Sequence, residues 1–252
     1  MTTAILSAMK EEQQGLLELL DNSIKTTHAG REFWHGRYRH HDIVLVLARI
    51  GKVAAATTAT ALIDRFAVKR IVFTGVAGGL GANVNVGDIV IADSFMQHDM
   101  DASPIFPRYE IPLYGLSRFP ADALMTQALQ SAATRTVESA AVTLGEATTR
   151  EFNIERLRTH TGLLISGDRF VSTHAESQAL RAALPDALAC EMEGSAVAQV
   201  CHDYGVPFAA VRTISDRADD AAHVDFTRFI ECVAGPYAAM LMKEFLTVLP
   251  PV

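Results

Sequence analysis

Short apolar runs alternate with amphipathic stretches along this chain, and nearly every run ends on a polar residue or a glycine. Ala4-Ile5-Leu6-Ser7, Ile71-Val72-Phe73, Leu163-Leu164-Ile165, Leu188–Cys190 and Phe208–Ile214 have the length of buried strands. Between them, Leu16, Leu17, Leu19 and Leu20 mark one helix face, and Val53, Ala56, Thr60 and Ile63 mark another. Further helices are predicted over 121–135, over the polar segment 136–159, and around Val197, Val200, Cys201 and Tyr204, where Gly205 and Pro207 stop the run. From Phe226, the residues Phe229, Ile230, Val233, Tyr237, Met240, Leu241 and Phe245 give one long amphipathic helix. Phe33–Tyr38 and Ile43–Leu47 flank the polar His40-His41-Asp42 and predict a hairpin, and Asp88–Ala92 predicts another strand. Strands alternating with helices define an α/β fold with a parallel or mixed central sheet, here expected as one domain over 1–252.

Composition narrows the functions open to such a fold. Twenty-two Lys and Arg against 29 Asp and Glu leave a net charge of -7, which argues against a nucleic-acid binder relying on phosphate contacts. No apolar run approaches the ~18 residues of a membrane span. The first nine residues lack the charged head and apolar stretch of a secretion signal. Cys190, Cys201 and Cys232 are odd in number and lack CxxC spacing, which fits a reducing cytoplasm. The nine histidines form no metal-binding spacing, so neither a metal nor any other cofactor is expected.

In open α/β sheets, ligands bind at the carboxyl ends of strands. The polar residues just past the strands are therefore the candidates: Glu11 and Glu12, the glycine-rich segment 75–81, Ser166-Gly167-Asp168, Glu191-Met192-Glu193 and Ser215-Asp216. Each also has an ordinary structural reading. The glycines suit a tight turn, although their N–H groups can face a ligand oxygen. Glu191 and Glu193 suit a first helical turn, but an ionised carboxylate can also accept two hydrogen bonds from a vicinal diol such as a ribose. Met192 suits a core, although a thioether packs well on a sugar face. Asp216 suits a cap, or a general acid at the sheet edge. Residues 100–120 carry Pro104, Pro107, Pro112 and Pro120, and an irregular segment of that length is usually functional.

Together the pieces resemble the nucleoside phosphorylase/nucleosidase superfamily, and most closely its methylthioadenosine/S-adenosylhomocysteine nucleosidases. The matching stretches are Ala8-Met9-Lys10-Glu11-Glu12, Ile50-Gly51-Lys52-Val53-Ala54-Ala55-Ala56, Thr74–Leu80, Val86-Gly87-Asp88-Ile89-Val90, Ser166-Gly167-Asp168-Arg169-Phe170, Glu191-Met192-Glu193 and Arg212-Thr213-Ile214-Ser215-Asp216. The resemblance implies a three-layer α/β/α fold with a mixed sheet, and a cytoplasmic homodimer whose 100–115 loop closes the partner's pocket. It implies hydrolysis of the N-glycosidic bond of methylthioadenosine, S-adenosylhomocysteine and 5′-deoxyadenosine. Glu12 would activate water and Asp216 would protonate the adenine, with Ser215 beside it. Glu193 would hold both ribose hydroxyls, with Met192 against the sugar. Phe170 would stack on adenine and the Val171 backbone would bond its edge. Met9, Ile50 and Phe226 would line the 5′ pocket, and Val76, Ala77 and Gly78 the nucleoside cradle.

Three positions depart from that pattern. Val76 stands where many relatives carry Ser, Arg49 where Gly is common, and Ile105–Tyr114 differs from the usual partner loop. Rival readings are a phosphorylase, a futalosine-type hydrolase and a non-catalytic nucleoside-binding protein. The Glu11-Glu12 pair, where the phosphorylases resemble one another in a Gly-Asp-Pro-x-Arg stretch, favours water over phosphate.

Overall fold

The structure is a computed structural model that describes residues 2–152, 154, 156–218 and 226–250. Its strands are β1 Thr2–Ser7, β2 Asp21–His28, β3 Arg31–Tyr38, β4 His41–Leu47, β5 Arg70–Gly79, β6 Ile89–Gln97, β7 Phe119–Pro120, β8 Thr159–Ser166, β9 Ala187–Glu191 and β10 Phe208–Asp216. Its helices are α1 Lys10–Leu17, α2 Lys52–Phe66, α3 Ala123–Glu151, α4 His174–Ala183, α5 Gly194–Tyr204, α6 Phe226–Phe229 and α7 Gly235–Val248. All the strands join one mixed sheet in the order β10-β6-β8-β9-β5-β1-β4-β3-β2, with β7 on β6. Strands β4, β1, β5 and β10 run parallel, as do β6, β8 and β9. The two groups meet antiparallel at β6–β10 and β5–β9, so five strands close into a ring.

Helices cover both faces, giving three layers. On one side α2 and α5 pack Ala55, Ala59, Leu62, Val197 and Cys201 against Leu6, Phe73 and Ala210 of the sheet. On the other, α3 and α7 pack Leu129, Ala133, Leu241 and Phe245 against Ile5, Val72 and Val211. Alternate residues of a strand point to opposite faces, so Phe73 and Val72 serve different cores. Among the described residues, no helix is long and apolar enough to cross a membrane.

Several expectations shift. The face of α2 that packs inward is Ala55, Thr58, Ala59 and Leu62, whereas Val53 is 77% exposed. Strand β5 does not stop at Phe73. It runs through the glycine-rich segment to Gly79 because neighbours press too close for a side chain: a Cβ at Gly78 would lie 2.9 Å from the Ala218 Cβ. Helix α3 extends to Glu151 and breaks at Gly145, which has φ 75°, so the helical reading of 136–159 holds as far as Glu151. Asn153 and Glu155 lie outside the described residues. The C-terminal helix is interrupted by a π-helical turn over Ile230–Ala234, where Gly235 N–H reaches the Ile230 carbonyl. Pro236 follows directly and has no N–H to complete the ordinary α-helical ladder.

Candidate functional site

One cavity opens where β1, β5, β8, β9 and β10 end, and every residue singled out above as catalytic or substrate-binding lines it. From the β1–α1 corner come Met9 and Glu12. The end of β5 supplies Val76, Ala77 and Gly78, and Ile50 enters from the turn before α2. The loop after β8 gives Phe170 and Val171, the β9–α5 corner Met192 and Glu193, the end of β10 Ser215 and Asp216, and α6 contributes Phe226.

Glu12 is 1% exposed. Sitting in the first turn of α1, its side chain turns back toward the strand ends. Oε2 accepts N–H bonds from Ala8 at 2.9 Å and Met9 at 3.0 Å, and Oε1 accepts the Val76 N–H at 3.1 Å. Gly75 makes this possible, since a Cβ there would stand 3.1 Å from Oε1. Burial pushes the Glu12 carboxyl above its ordinary range, and outweighs the opposing pull of the Met9, Ala8 and Val76 N–H groups and of the Arg212 charge.

Asp216 lies beyond a register shift in β10, opposite Gly78. Its Oδ2 accepts the Ser215 hydroxyl at 2.7 Å, and its Oδ1 accepts the Ala218 N–H at 2.7 Å. A Cβ at Gly78 would reach within 3.0 Å of that Oδ1. The glycines of β5 thus make room for two carboxylates rather than forming a turn. Glu12 is bonded at Val76 and Asp216 abuts Gly78, two residues further along β5, which is about 6–7 Å of strand.

Glu193 is buried and accepts the Gly51 N–H at 2.8 Å. Burial, reinforced by the Glu191 carboxylate, raises its pKa. Glu191 itself is committed elsewhere. It accepts N–H bonds from Glu193 at 3.1 Å and Gly194 at 2.9 Å, the Ser166 hydroxyl, and the Arg212 guanidinium at 2.8 Å. Arg212 is 1% exposed, donates to the Phe73 and Val211 carbonyls at 3.0 Å each, and stacks 4.3 Å over the Phe73 ring. The sequence reading missed the part played by Arg212 and Glu191 as the floor of the site. The signal was present: a lone Arg inside the apolar strand Phe208–Ile214 is buried only when paired.

The mouth is apolar. Phe170, 43% exposed, meets Phe226 edge-on at 5.8 Å between ring centroids. Arg49 does not enter the site, and its guanidinium bonds the Gly30 carbonyl. Arg169 does line the cavity, and pairs with Glu176. Cys190 also lines it, but burial raises its thiol pKa, which keeps it a protonated, poor nucleophile. Among the described residues, no cluster of three His, Cys, Asp or Glu could hold a metal.

Residues 2–247 match the family model described as the phosphorylase superfamily, and the chain belongs to that superfamily. Within it, the chain groups with the methylthioadenosine/S-adenosylhomocysteine nucleosidases. One from Shewanella denitrificans is 37% identical over 98% of this chain and 99% of its own length. The solved nucleosidase of Neisseria meningitidis, in complex with methylthio-immucillin-A, superposes with a TM-score of 0.86 at 31% identity, covering 98% of this chain and 99% of that one. The futalosine hydrolase of Helicobacter pylori, at 30% identity, gives a TM-score of 0.83 over 98% of each chain. The three-layer fold and mixed sheet expected from the sequence are those of this group.

If Arg212 is held by Glu191, removing the carboxylate strands a buried charge. Glu191→Ala is expected to lower the unfolding free energy by about 3–5 kcal/mol. Urea denaturation measures this, and a loss below about 1 kcal/mol would show that the pair is not the floor of the site.

Proposed function

We propose that the protein is a single-domain hydrolase of the N-glycosidic bond of methylthioadenosine and S-adenosylhomocysteine, and of 5′-deoxyadenosine, releasing adenine and the free sugar with water as the nucleophile. The observation that carries this reading is the pair of buried carboxylates, Glu12 and Asp216, spaced along β5 in a cavity whose buried cation is already engaged by Glu191. Cleavage passes through an oxocarbenium-like state, for which two carboxyl groups flanking the bond suffice. Adenine leaves readily only once protonated, and Asp216, oriented by the Ser215 hydroxyl, is the acid. Water attacks readily only once oriented and deprotonated. Glu12 is the base, fixed by three N–H donors and made more basic by burial.

Glu193 accepts the ribose 2′- and 3′-hydroxyls, and Met192 lies against the sugar. Phe170 stacks on adenine while the Val171 backbone bonds its edge. Met9, Ile50 and Phe226 receive the 5′-thio group. Val76, Ala77 and Gly78 line the cradle between acid and base, and Val76 supplies a backbone N–H to Glu12 but no hydroxyl. A phosphorylase would need cations for a phosphate dianion. Here Arg212 is spent on Glu191 and two carbonyls, Arg169 pairs with Glu176 and Arg49 bonds Gly30, while Glu12 and Glu193 repel an anion.

The functional unit is a homodimer in which the 100–115 loop reaches the neighbouring cavity. Ile105 and Leu113 on that loop are 82% and 90% exposed, and Ile50 and Val53 beside the cavity are 58% and 77% exposed. Apolar side chains so placed are costly to leave in water. A cytoplasmic location is consistent with three free cysteines, two of them buried.

A nucleoside panel read by free-base release tests the reaction. Methylthioadenosine and S-adenosylhomocysteine should release adenine, and Asp216→Asn should lower turnover by about 10²–10⁴-fold because an amide cannot deliver a proton. A variant keeping half the rate, or no adenine released from either nucleoside, contradicts the reading. The base must be ionised, so kcat/KM should fall as pH drops through the raised pKa of Glu12, with an acid limb above the ordinary value of 4.5. The raised pKa of Glu193 pushes the limb the same way. A profile flat from neutral pH to 4.5 would remove Glu12 from the base role. For the assembly, sedimentation should find a dimer at micromolar concentration, and a fully active monomer would reject it.

A further inference from the structure

Two sequence motifs remain without a task in this chemistry: Lys52 of Ile50-Gly51-Lys52-Val53, and Asp168 of Ser166-Gly167-Asp168. The structure brings both together with Asp99, just beyond β6. Lys52 Nζ donates to Asp99 Oδ1 at 2.6 Å, the Asp168 N–H donates to Asp99 Oδ2 at 2.9 Å, and the Lys52 N–H donates to Asp168 Oδ1 at 2.7 Å. These three bonds form a closed cycle through the start of α2, the end of β6 and the loop after β8. Gln97 steadies it, accepting from Lys52 Nζ at 3.1 Å while donating to Gln199 at 2.7 Å. The Lys52 side chain is only 16% exposed, little for a lysine.

The cycle stands next to Glu193. Helix α2 has no side-chain cap of its own, because its N-cap is Gly51 with φ 96°. Two carboxylates from other strand ends take its first N–H groups instead: Glu193, after β9, takes Gly51, and Asp168, after β8, takes Lys52. Glycine is required at 51, since a Cβ would lie 3.2 Å from the Asp168 Oδ1 and the positive φ disfavours any other residue. An N-terminal N–H pointed at a carboxylate stabilises and orients it.

We propose that Lys52, Asp99 and Asp168 form a latch that seats the N-terminus of α2 against Glu193, and so act as positioning residues for recognition of the ribose diol. The latch rests on the reading of Glu193 as the ribose-binding carboxylate. None of the three residues lines the cavity, so they act through the Gly51 N–H rather than by touching substrate. Releasing the latch lets the Gly51 N–H and the Glu193 carboxylate drift apart. The loss then falls on the substrate hydroxyls that Glu193 holds, and spares the chemistry at Glu12 and Asp216.

The test is the ratio of kcat/KM on methylthioadenosine to that on its 2′-deoxy counterpart, a ratio independent of how much enzyme is folded. Lys52→Met and Asp99→Asn should each lower this ratio by about fivefold, the worth of one partly exposed charged hydrogen bond. Lys52→Arg should restore most of it, and in a Glu193→Gln background Lys52→Met should change it no further. A wild-type enzyme that does not discriminate between the two substrates overturns the ribose role of Glu193 and the latch with it. Discrimination intact in both Lys52→Met and Asp99→Asn, with wild-type discrimination present, overturns the latch alone.

Discussion

The site depends on the buried ion pair between Arg212 and Glu191. Arg212 issues from the middle of β10, Glu191 from the end of β9, and the contacts of the pair run on to the Phe73 carbonyl of β5 and the Ser166 hydroxyl of β8. Four strands of the ring are thereby joined beneath the cavity. Taking two charges out of water costs several kcal/mol each, and only close geometry with every remaining donor and acceptor filled offsets that. The geometry goes far to meet this: the guanidinium faces a carboxylate, two carbonyls and an aromatic ring, and the carboxylate faces N–H groups, a hydroxyl and the arginine. Because Glu191 holds the Glu193 and Gly194 N–H groups, it also fixes the corner from which Glu193 reaches the cavity.

Around that pair, negative charge is crowded deliberately. Glu12, Glu191 and Glu193 are all buried near one arginine, and the first and last of these have raised pKa values. The usual cost of such an arrangement is tolerated where the carboxylates have work to do. A buried carboxylate with an elevated pKa is a better base for water than an exposed one. Gly75 and Gly78 complete the arrangement by letting β5 pass the Glu12 and Asp216 carboxylates without a side chain that would displace either.

Much of this was legible in the sequence wherever burial writes a pattern. The hairpin β3–β4, the strands before each polar ending, and the helices α5 and α7 carry apolar periodicity because one face of each meets the core. Strand β2 left no such trace: all eight residues from Asp21 to His28 are exposed, and it is held to β3 by backbone pairing and surface contacts such as Lys25–Glu32 rather than by an apolar face. Helix α4 was equally silent, with only Ser177 buried. In α2 the small residues Ala55 and Ala59 form the packed face, and small residues give a weaker signal than the exposed Val53 beside them. The candidate site was legible as a set of strand endings, and most of them converge on one cavity, whereas Ser166-Gly167-Asp168 stands beside it. What could not be read was which carboxylate is structural. Glu191 and Glu193 are separated by a single residue, and only their partners tell them apart: Glu191 is tied to Arg212, whereas Glu193 accepts the Gly51 N–H.

The central claim is that water, held by Glu12, attacks the sugar in a cavity whose two described arginines, Arg169 and Arg212, are both already paired. Cleavage of methylthioadenosine in ¹⁸O-enriched water containing millimolar phosphate, with mass analysis of the sugar from a single turnover, tests it most directly. The account predicts one solvent oxygen at the anomeric carbon and a rate independent of phosphate. A sugar 1-phosphate, or a reaction that stops when phosphate is removed, would contradict it.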